Sequence, residues 1–119
     1  MQVFLHFIGD YILQNHWMSI KKKQKGFEGF IACLINCMSY SIPFLFIGSL
    51  PAVAVIFATH FAIDRTNVVA WFIAIKNGIT HVRNAGFHDD VPKFLSVWLL
   101  IIIDNIFHVS CNMLALAFL

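Results

Sequence analysis

Charged residues are scarce in this sequence. They make up 12% of its 119 residues, whereas soluble domains carry about 25%. Hydrophobic residues reach 60% and the mean hydropathy is +0.79, which together predict an integral membrane protein. The formal net charge of +2 is too small to indicate nucleic-acid binding. Since a helical span needs about 20 residues, the length predicts a single transmembrane domain over residues 1–119.

Signatures of several other protein classes are missing as well. The three cysteines, Cys33, Cys37 and Cys111, are odd in number and lie in apolar runs, which argues against a disulfide framework. The first residues lack the basic stretch of a secretory signal, so we expect the N-terminal segment to be kept as a membrane span. The apolar runs also lack the period-two alternation of strands. No Ser-His-Asp elbow, phosphate loop or soluble catalytic domain is visible.

Four long apolar segments are present instead, and they predict an all-α membrane bundle. The predicted transmembrane helices cover about residues 2–20, 27–48, 51–76 and 92–118. Lys and Arg occur in or beside the first and third loops, whereas the second loop and both termini have none. By the positive-inside rule, the first and third loops are cytoplasmic and both termini lie outside. The expected location is the cell inner membrane, with membrane lipid as the immediate partner.

Polar residues recur inside these apolar segments, in "HFIGD", "THFAIDR" and "DNIFH". Those with metal-binding side chains are His6, Asp10, His60, Asp64, Asp104 and His108. Counted from the lysine that bounds each helix on its cytoplasmic side, the aspartates are eleven or twelve residues deep and the histidines fifteen or sixteen. An i,i+4 spacing places both side chains of a motif on one helix face. Three helices are therefore predicted to present a layer of histidine and a layer of aspartate toward one another.

Three unpaired carboxylates would not stay ionised in lipid, because a charge at the bilayer centre is costly. A divalent metal, a His–Asp proton relay, or polar contacts that hold the helices together would each resolve the problem. All six residues are predicted metal ligands, since His and Asp suit zinc, or else iron or manganese. Gln14, Asn36 and Asn105 are predicted supporting polar groups. Arg65 is interpreted either as a partner for a surplus carboxylate or as a bidentate ligand for a substrate phosphate or carboxylate.

Several motifs carry a family resemblance. "HFIGDYILQNHWM" followed by a basic stretch, then "YSIPFL", "THFAIDR" with "WFIAIKN", and "WLLIIIDNIFH" resemble domain of unknown function 3307, a family of small bacterial and phage membrane proteins. The resemblance covers nearly the whole chain in order and spacing. It implies a helical membrane protein and supplies no activity. It also implies a histidine in the second helix where this chain has Asn36, a departure that would weaken one ligand position.

The leading hypothesis is a metal-dependent hydrolase that acts on a lipid or lipid-linked substrate reaching the site from the bilayer. The predicted catalytic residues are Asp64, Asp104 and Arg65: an aspartate outside the metal's ligands serves as general base, and the guanidinium orients an anionic substrate. Two alternatives stay open. One is a metal-ion or proton conduit formed by a homo-oligomer, and the other is a phage–host exclusion protein with a structural metal site. Little polar sequence continues outward from His6 or His60, which favours the enzyme.

Overall fold

The structure is a computed structural model that describes residues 1–119, apart from the side chain of Ser19. Among these residues there are helices, turns and loops but no strand, which confirms the all-α prediction. The chain divides into two compact units. The first unit comprises Met1–Thr66 and His108–Leu119, and the second comprises Asn67–Phe107.

The first unit is built from short and long helices around a small apolar core. Its helices are α1 (Gln2–Phe7) with a π-helical continuation (Ile8–Leu13), α2 (His16–Lys21), α3 (Phe27–Ser41) with a 3-10 continuation (Ile42–Phe46), α4 (Leu50–Arg65) and the end of α6 (Lys93–Phe118). The core consists of Tyr40, Phe44, Val53, Ile56 and Ala115, with Leu5 and Leu116 packed against it. The candidate site lies directly beside this core, because Tyr40 belongs to both.

Two helical segments are long and apolar enough to cross a membrane by themselves. Phe27–Phe46 has 20 residues and a mean hydropathy of 1.7, and Lys93–Phe118 has 26 residues and a mean hydropathy of 1.8. A third span exists if α4 and the following helix α5 (Val68–Lys76), which are separated by a break, count as one. The prediction of four spans is therefore confirmed for two or three, and the placement of the termini stays a prediction.

The predicted continuous helix over residues 2–20 is wrong, because the chain leaves helical geometry at Gln14 and Asn15. Asn15 has an extended backbone (φ −88°, ψ 174°) and its side chain accepts a hydrogen bond from the Met18 N–H at 2.9 Å. This is an N-cap, the interaction by which asparagine begins a helix. Gln2–Leu13 alone is about 18 Å long, short of a roughly 30 Å bilayer core.

The predicted helix over residues 51–76 is also interrupted. Thr66 has an extended backbone (φ −116°, ψ 172°) and ends α4, and α5 begins two residues later at Val68. The carbonyls at the end of α4 lack intrahelical partners. The ammonium of Lys23 accordingly donates to the carbonyls of Ile63, Asp64 and Thr66 at 3.2, 2.9 and 2.9 Å.

The second unit contains α5, a polar loop and the start of α6. The loop holds a tight turn at Asn84–Gly86 in which Gly86 adopts φ +90°, and a Cβ there would lie 2.5 Å from the carbonyl oxygen of Ala70. The Asn84 amide donates to the carbonyl of Val91 at 2.8 Å, and its side-chain oxygen accepts from Ser96 Oγ at 2.6 Å. This turn fixes the loop against the first residues of α6.

Candidate metal centre

Polar side chains from five helical segments meet inside the first unit. They are His6 of α1, Asp10 of the π-helical segment, Asn36 and Tyr40 of α3, His60 and Asp64 of α4, and His108 and Asn112 of α6. All are buried except Asp10, whose side chain is 10% exposed. Because buried polar groups are costly unless they are partnered, the way these groups satisfy one another defines the site.

Three histidines from three helices lie side by side. The ring centroids of His60 and His108 are 4.4 Å apart, and those of His6 and His108 are 5.6 Å apart. The Nδ1 atoms of His60 and His108 face each other at 3.1 Å. Tyr40 stacks on His60 with centroids 3.7 Å apart and an interplanar angle of 16°, so the imidazole of His60 has little freedom to rotate.

The carboxylate of Asp64 joins two of these histidines. Its Oδ2 lies 3.1 Å from His60 Nε2, and its Oδ1 lies 3.2 Å from His108 Nε2. The Asn36 amide and the Lys22 ammonium both donate to Oδ2 at 2.8 Å. Asp64 is therefore a carboxylate with every side occupied, which is how a buried charge is kept ionised.

Asp10 is held quite differently, although it also follows a histidine by four residues. Its Oδ2 is 3.7 Å from His6 Nδ1 and its Oδ1 is 3.5 Å from His60 Nε2. Oδ1 is buried and accepts no hydrogen bond from the described residues. The first motif passes from α1 into the π-helical segment, whereas the second lies within the regular helix α4.

Gly9 allows this segment to lie against the site. A Cβ at that position would be 2.4 Å from Cδ2 of Tyr40, the ring that stacks on His60. Any side chain there would push either the tyrosine or the π-helical segment away.

Three side chains of the cluster are placed so that they could bind one metal ion. One ligand atom from each of Asp10, His60 and His108 lies within 4.8 Å of the other two. Two imidazole nitrogens and a carboxylate oxygen are suitable ligands for zinc and for other first-row metals. The buried, unpartnered Oδ1 of Asp10 fits such an ion, since a cation would supply its missing partner.

The remaining polar groups of the cluster form a network around Tyr40. The Tyr40 hydroxyl lies 2.7 Å from His6 Nδ1 and accepts a hydrogen bond from the Asn112 amide at 2.6 Å. The ring of His6 is thus oriented by a phenol as well as by its neighbour His108. Predicted ligand His6 lies at the edge of the metal-capable group and not among its three members.

The other predicted site residues lie outside the group of Asp10, His60 and His108. The side chain of Gln14 accepts from Lys22 Nζ at 2.9 Å, next to Asp64. The guanidinium of Arg65 donates to the backbone carbonyls of Lys22 and Gln24. Asp104 and Asn105 lie in the second unit, on α6 one turn before the cluster's histidine from that helix.

Comparison with protein families settles what the sequence motifs suggested. The family model for proteins of unknown function, DUF3307, matches residues 1–119. The chain belongs to the DUF3307 family. Comparison with curated proteins gave no match, and neither did comparison with solved structures.

Three residues of this DUF3307 site were missed by sequence reasoning. Tyr40 follows Asn36 by four residues, and Asn112 follows His108 by four, so extending the i,i+4 rule one turn further would have found both. Lys22 counts in the sequence only as one of the basic residues that place the first loop in the cytoplasm. No residue pattern distinguishes it, because all of "KKKQK" reads equally as a topology determinant.

Proposed function

We propose that this protein binds one divalent metal ion at Asp10, His60 and His108, with zinc favoured over iron or manganese. The convergence of three potential ligand atoms within 4.8 Å carries the proposal. The buried Asp10 oxygen without a hydrogen bond supports it, because burying an unpartnered carboxylate oxygen is costly and a cation would supply the partner.

The histidine geometry also favours zinc. The Nδ1 atoms of His60 and His108 lie at hydrogen-bonding distance, 3.1 Å apart, and imidazole nitrogen is a usual ligand of zinc. Their Nε2 atoms then remain to donate to Asp64, which lies 3.1 and 3.2 Å away. A carboxylate that holds the second nitrogen of a ligating histidine is the usual outer partner of a zinc site.

We further propose that the centre hydrolyses a phosphoester, acyl or amide bond in a lipid or lipid-linked substrate. A bound zinc ion supplies an activated water at neutral pH. Asp64 would orient both imidazoles and act as the general base. Asp104 and Arg65 are further candidates, as base and as ligand of an anionic headgroup. A lipid substrate is favoured because the site lies among apolar helices that it can approach from the bilayer.

The membrane arrangement is part of the same proposal. The chain would cross the inner membrane four times, counting the two interrupted segments, with its lysine-rich loops in the cytoplasm and both termini outside. The distribution of Lys and Arg between loops supports this orientation.

The metal site is tested by elemental analysis of protein purified in mild detergent without chelator. We expect about one equivalent of zinc in the parent protein, close to none in His60→Gln, and an unchanged content in His81→Gln. His81 is the matched control because it lies in the second unit. Absence of bound transition metal from the folded parent protein would overturn the proposal.

The hydrolase is tested on the zinc-loaded protein in lipid vesicles, with mass spectrometry of the lipid products. We expect product formation that is lost in His60→Gln and in Asp64→Asn and kept in His81→Gln. Suppose that the protein binds stoichiometric zinc but hydrolyses no ester, phosphoester or amide lipid. The metal site would then be structural, as in the alternative of a phage–host exclusion protein.

A proton or metal-ion conduit is a second candidate, favoured by one continuous series of close polar groups. It runs from Lys22 Nζ to Asp64 at 2.8 Å, from Asp64 to His108 Nε2 at 3.2 Å, and between the Nδ1 atoms of His108 and His60 at 3.1 Å. Proteoliposomes with an internal pH dye test it directly. A proton flux that is abolished in Asp64→Asn would favour the conduit. A proton flux no greater than that of protein-free vesicles would exclude it.

A further inference from the structure

Two adjacent lysines of the first loop have their ammonium groups directed at α4 in different ways. Lys23 donates to three backbone carbonyls at the end of that helix and so makes a C-terminal cap. Lys22 instead reaches the Asp64 side chain at 2.8 Å and the Gln14 side-chain oxygen at 2.9 Å. Lys22 therefore bears directly on the metal centre.

The backbone around Lys22 is fixed while its side chain borders solvent. Arg65 donates to the carbonyls of Lys22 and Gln24, which anchors the segment beside α4. The Lys22 side chain is 16% exposed, against 3% for Asp64. Its four-carbon stem is flexible, so the ammonium is able to exchange the carboxylate for water without unfolding of the loop.

The charges of the cluster make Lys22 a competitor of any metal. The ammonium of Lys22 and a divalent cation are both positive, and both are attracted by the carboxylates of the cluster. A cation bound in the cluster therefore weakens the hold of Asp64 on the ammonium. Like charges a few ångströms apart repel strongly where water is excluded.

We propose that the ammonium of Lys22 is the built-in counter-ion of the metal-free centre, and that binding of a divalent cation by Asp10, His60 and His108 releases it from Asp64. This inference rests on the proposed metal site and adds the group that the metal must displace. Lys22 does not ligate the metal. It sets the affinity by holding Asp64, the carboxylate that contacts both site histidines.

Paired variants test the competition. The dissociation constants for Zn²⁺ and Co²⁺ are measured by competition with a chelating dye for the parent protein, Lys22→Met, Lys22→Arg and Lys23→Met. We expect Lys22→Met to bind roughly tenfold or more tightly, because a repelling charge is gone. Lys22→Arg keeps the charge, and Lys23→Met removes an equal charge that does not touch the carboxylate, so both should stay near the parent value. Unchanged or weaker binding by Lys22→Met would overturn the inference.

A second measurement uses the parent protein and does not depend on the folding of a variant. Amine acylation of each lysine is followed by peptide mass spectrometry with and without zinc. We expect acylation of Lys22 to rise several-fold on zinc addition while that of exposed Lys25 stays constant. Zinc binding without a rise at Lys22 would sink the displacement and leave the metal site standing. A protein that binds no zinc at all would lose both.

Discussion

The motifs "HFIGD" and "HFAID" differ by two residues in sequence but hold their aspartates in different chemical environments. Asp64 of the second motif accepts hydrogen bonds from a lysine and an asparagine and lies within 3.2 Å of a nitrogen of each of two histidines. Asp10 of the first has a buried oxygen without a hydrogen bond from the described residues. The donors to Asp64 come from Lys22 and Asn36, and the backbones differ too, since α4 is regular at its motif whereas the first motif runs into a π-helical turn. One carboxylate is thus satisfied by neighbouring side chains, and the other has an oxygen that a bound cation would satisfy.

The largest expected effect is that of Asp64→Asn. The substitution removes the buried charge, 3% exposed, on which a lysine, an asparagine and two histidines converge. Breaking a buried pair from one side costs about 3–5 kcal/mol, so the free energy of unfolding should fall by about that much. Denaturation of the metal-free protein in detergent measures it.

The control for Asp64→Asn is Asp89→Asn, since Asp89 pairs with Arg83 at 3.9 Å on the exposed surface. That variant should change the free energy of unfolding by no more than about 0.5 kcal/mol. Equal effects of the two substitutions would mean that the buried pair contributes no more than an exposed one.

A smaller loss is expected from Gly9→Ala, which tests the close approach that the π-helical segment makes to the site. The added Cβ would meet the Tyr40 ring at 2.4 Å, and overpacking of this kind costs about 1–3 kcal/mol. Because Tyr40 stacks on His60, zinc affinity should fall as well.

Introducing Gly9→Ala into Tyr40→Leu sharpens that test. Once the ring is gone, the methyl group has room, so its cost should shrink to well under half of its value in the parent background. A cost that does not depend on Tyr40 would place the strain elsewhere in the segment.

Asp10→Asn should have the smallest effect on the metal-free protein. Because Oδ1 of Asp10 accepts no hydrogen bond from the described residues, removing the carboxylate charge should leave the free energy of unfolding unchanged or raise it by about 1 kcal/mol. Zinc affinity should nevertheless drop by at least about tenfold, because a ligand is lost. A loss of about 2 kcal/mol or more in the metal-free protein would show that Asp10 is satisfied after all, and the contrast between the two motifs would disappear.

Much of the site followed from helix periodicity. The i,i+4 spacing in "HFAID" predicts that His60 and Asp64 share a face, and they do, at 3.1 Å. The same spacing would have found Tyr40 and Asn112. The helix break at Asn15 was missed although asparagine is a strong N-cap residue, because the surrounding apolar run outweighed a single local signal.

The sequence by itself determined the helical character, the apolar surface, the shared helix face within each motif and the family. These depend on composition and on spacing along one helix, which any reader of the chain can measure. Only the tertiary structure decided which aspartate is paired, that Tyr40 stacks on His60, and that Lys22 points inward. Those outcomes depend on contacts between residues that are 20 to 50 positions apart in the sequence. The four lysines of the first loop are chemically identical and close together, so the sequence does not specify which of them reaches a buried carboxylate.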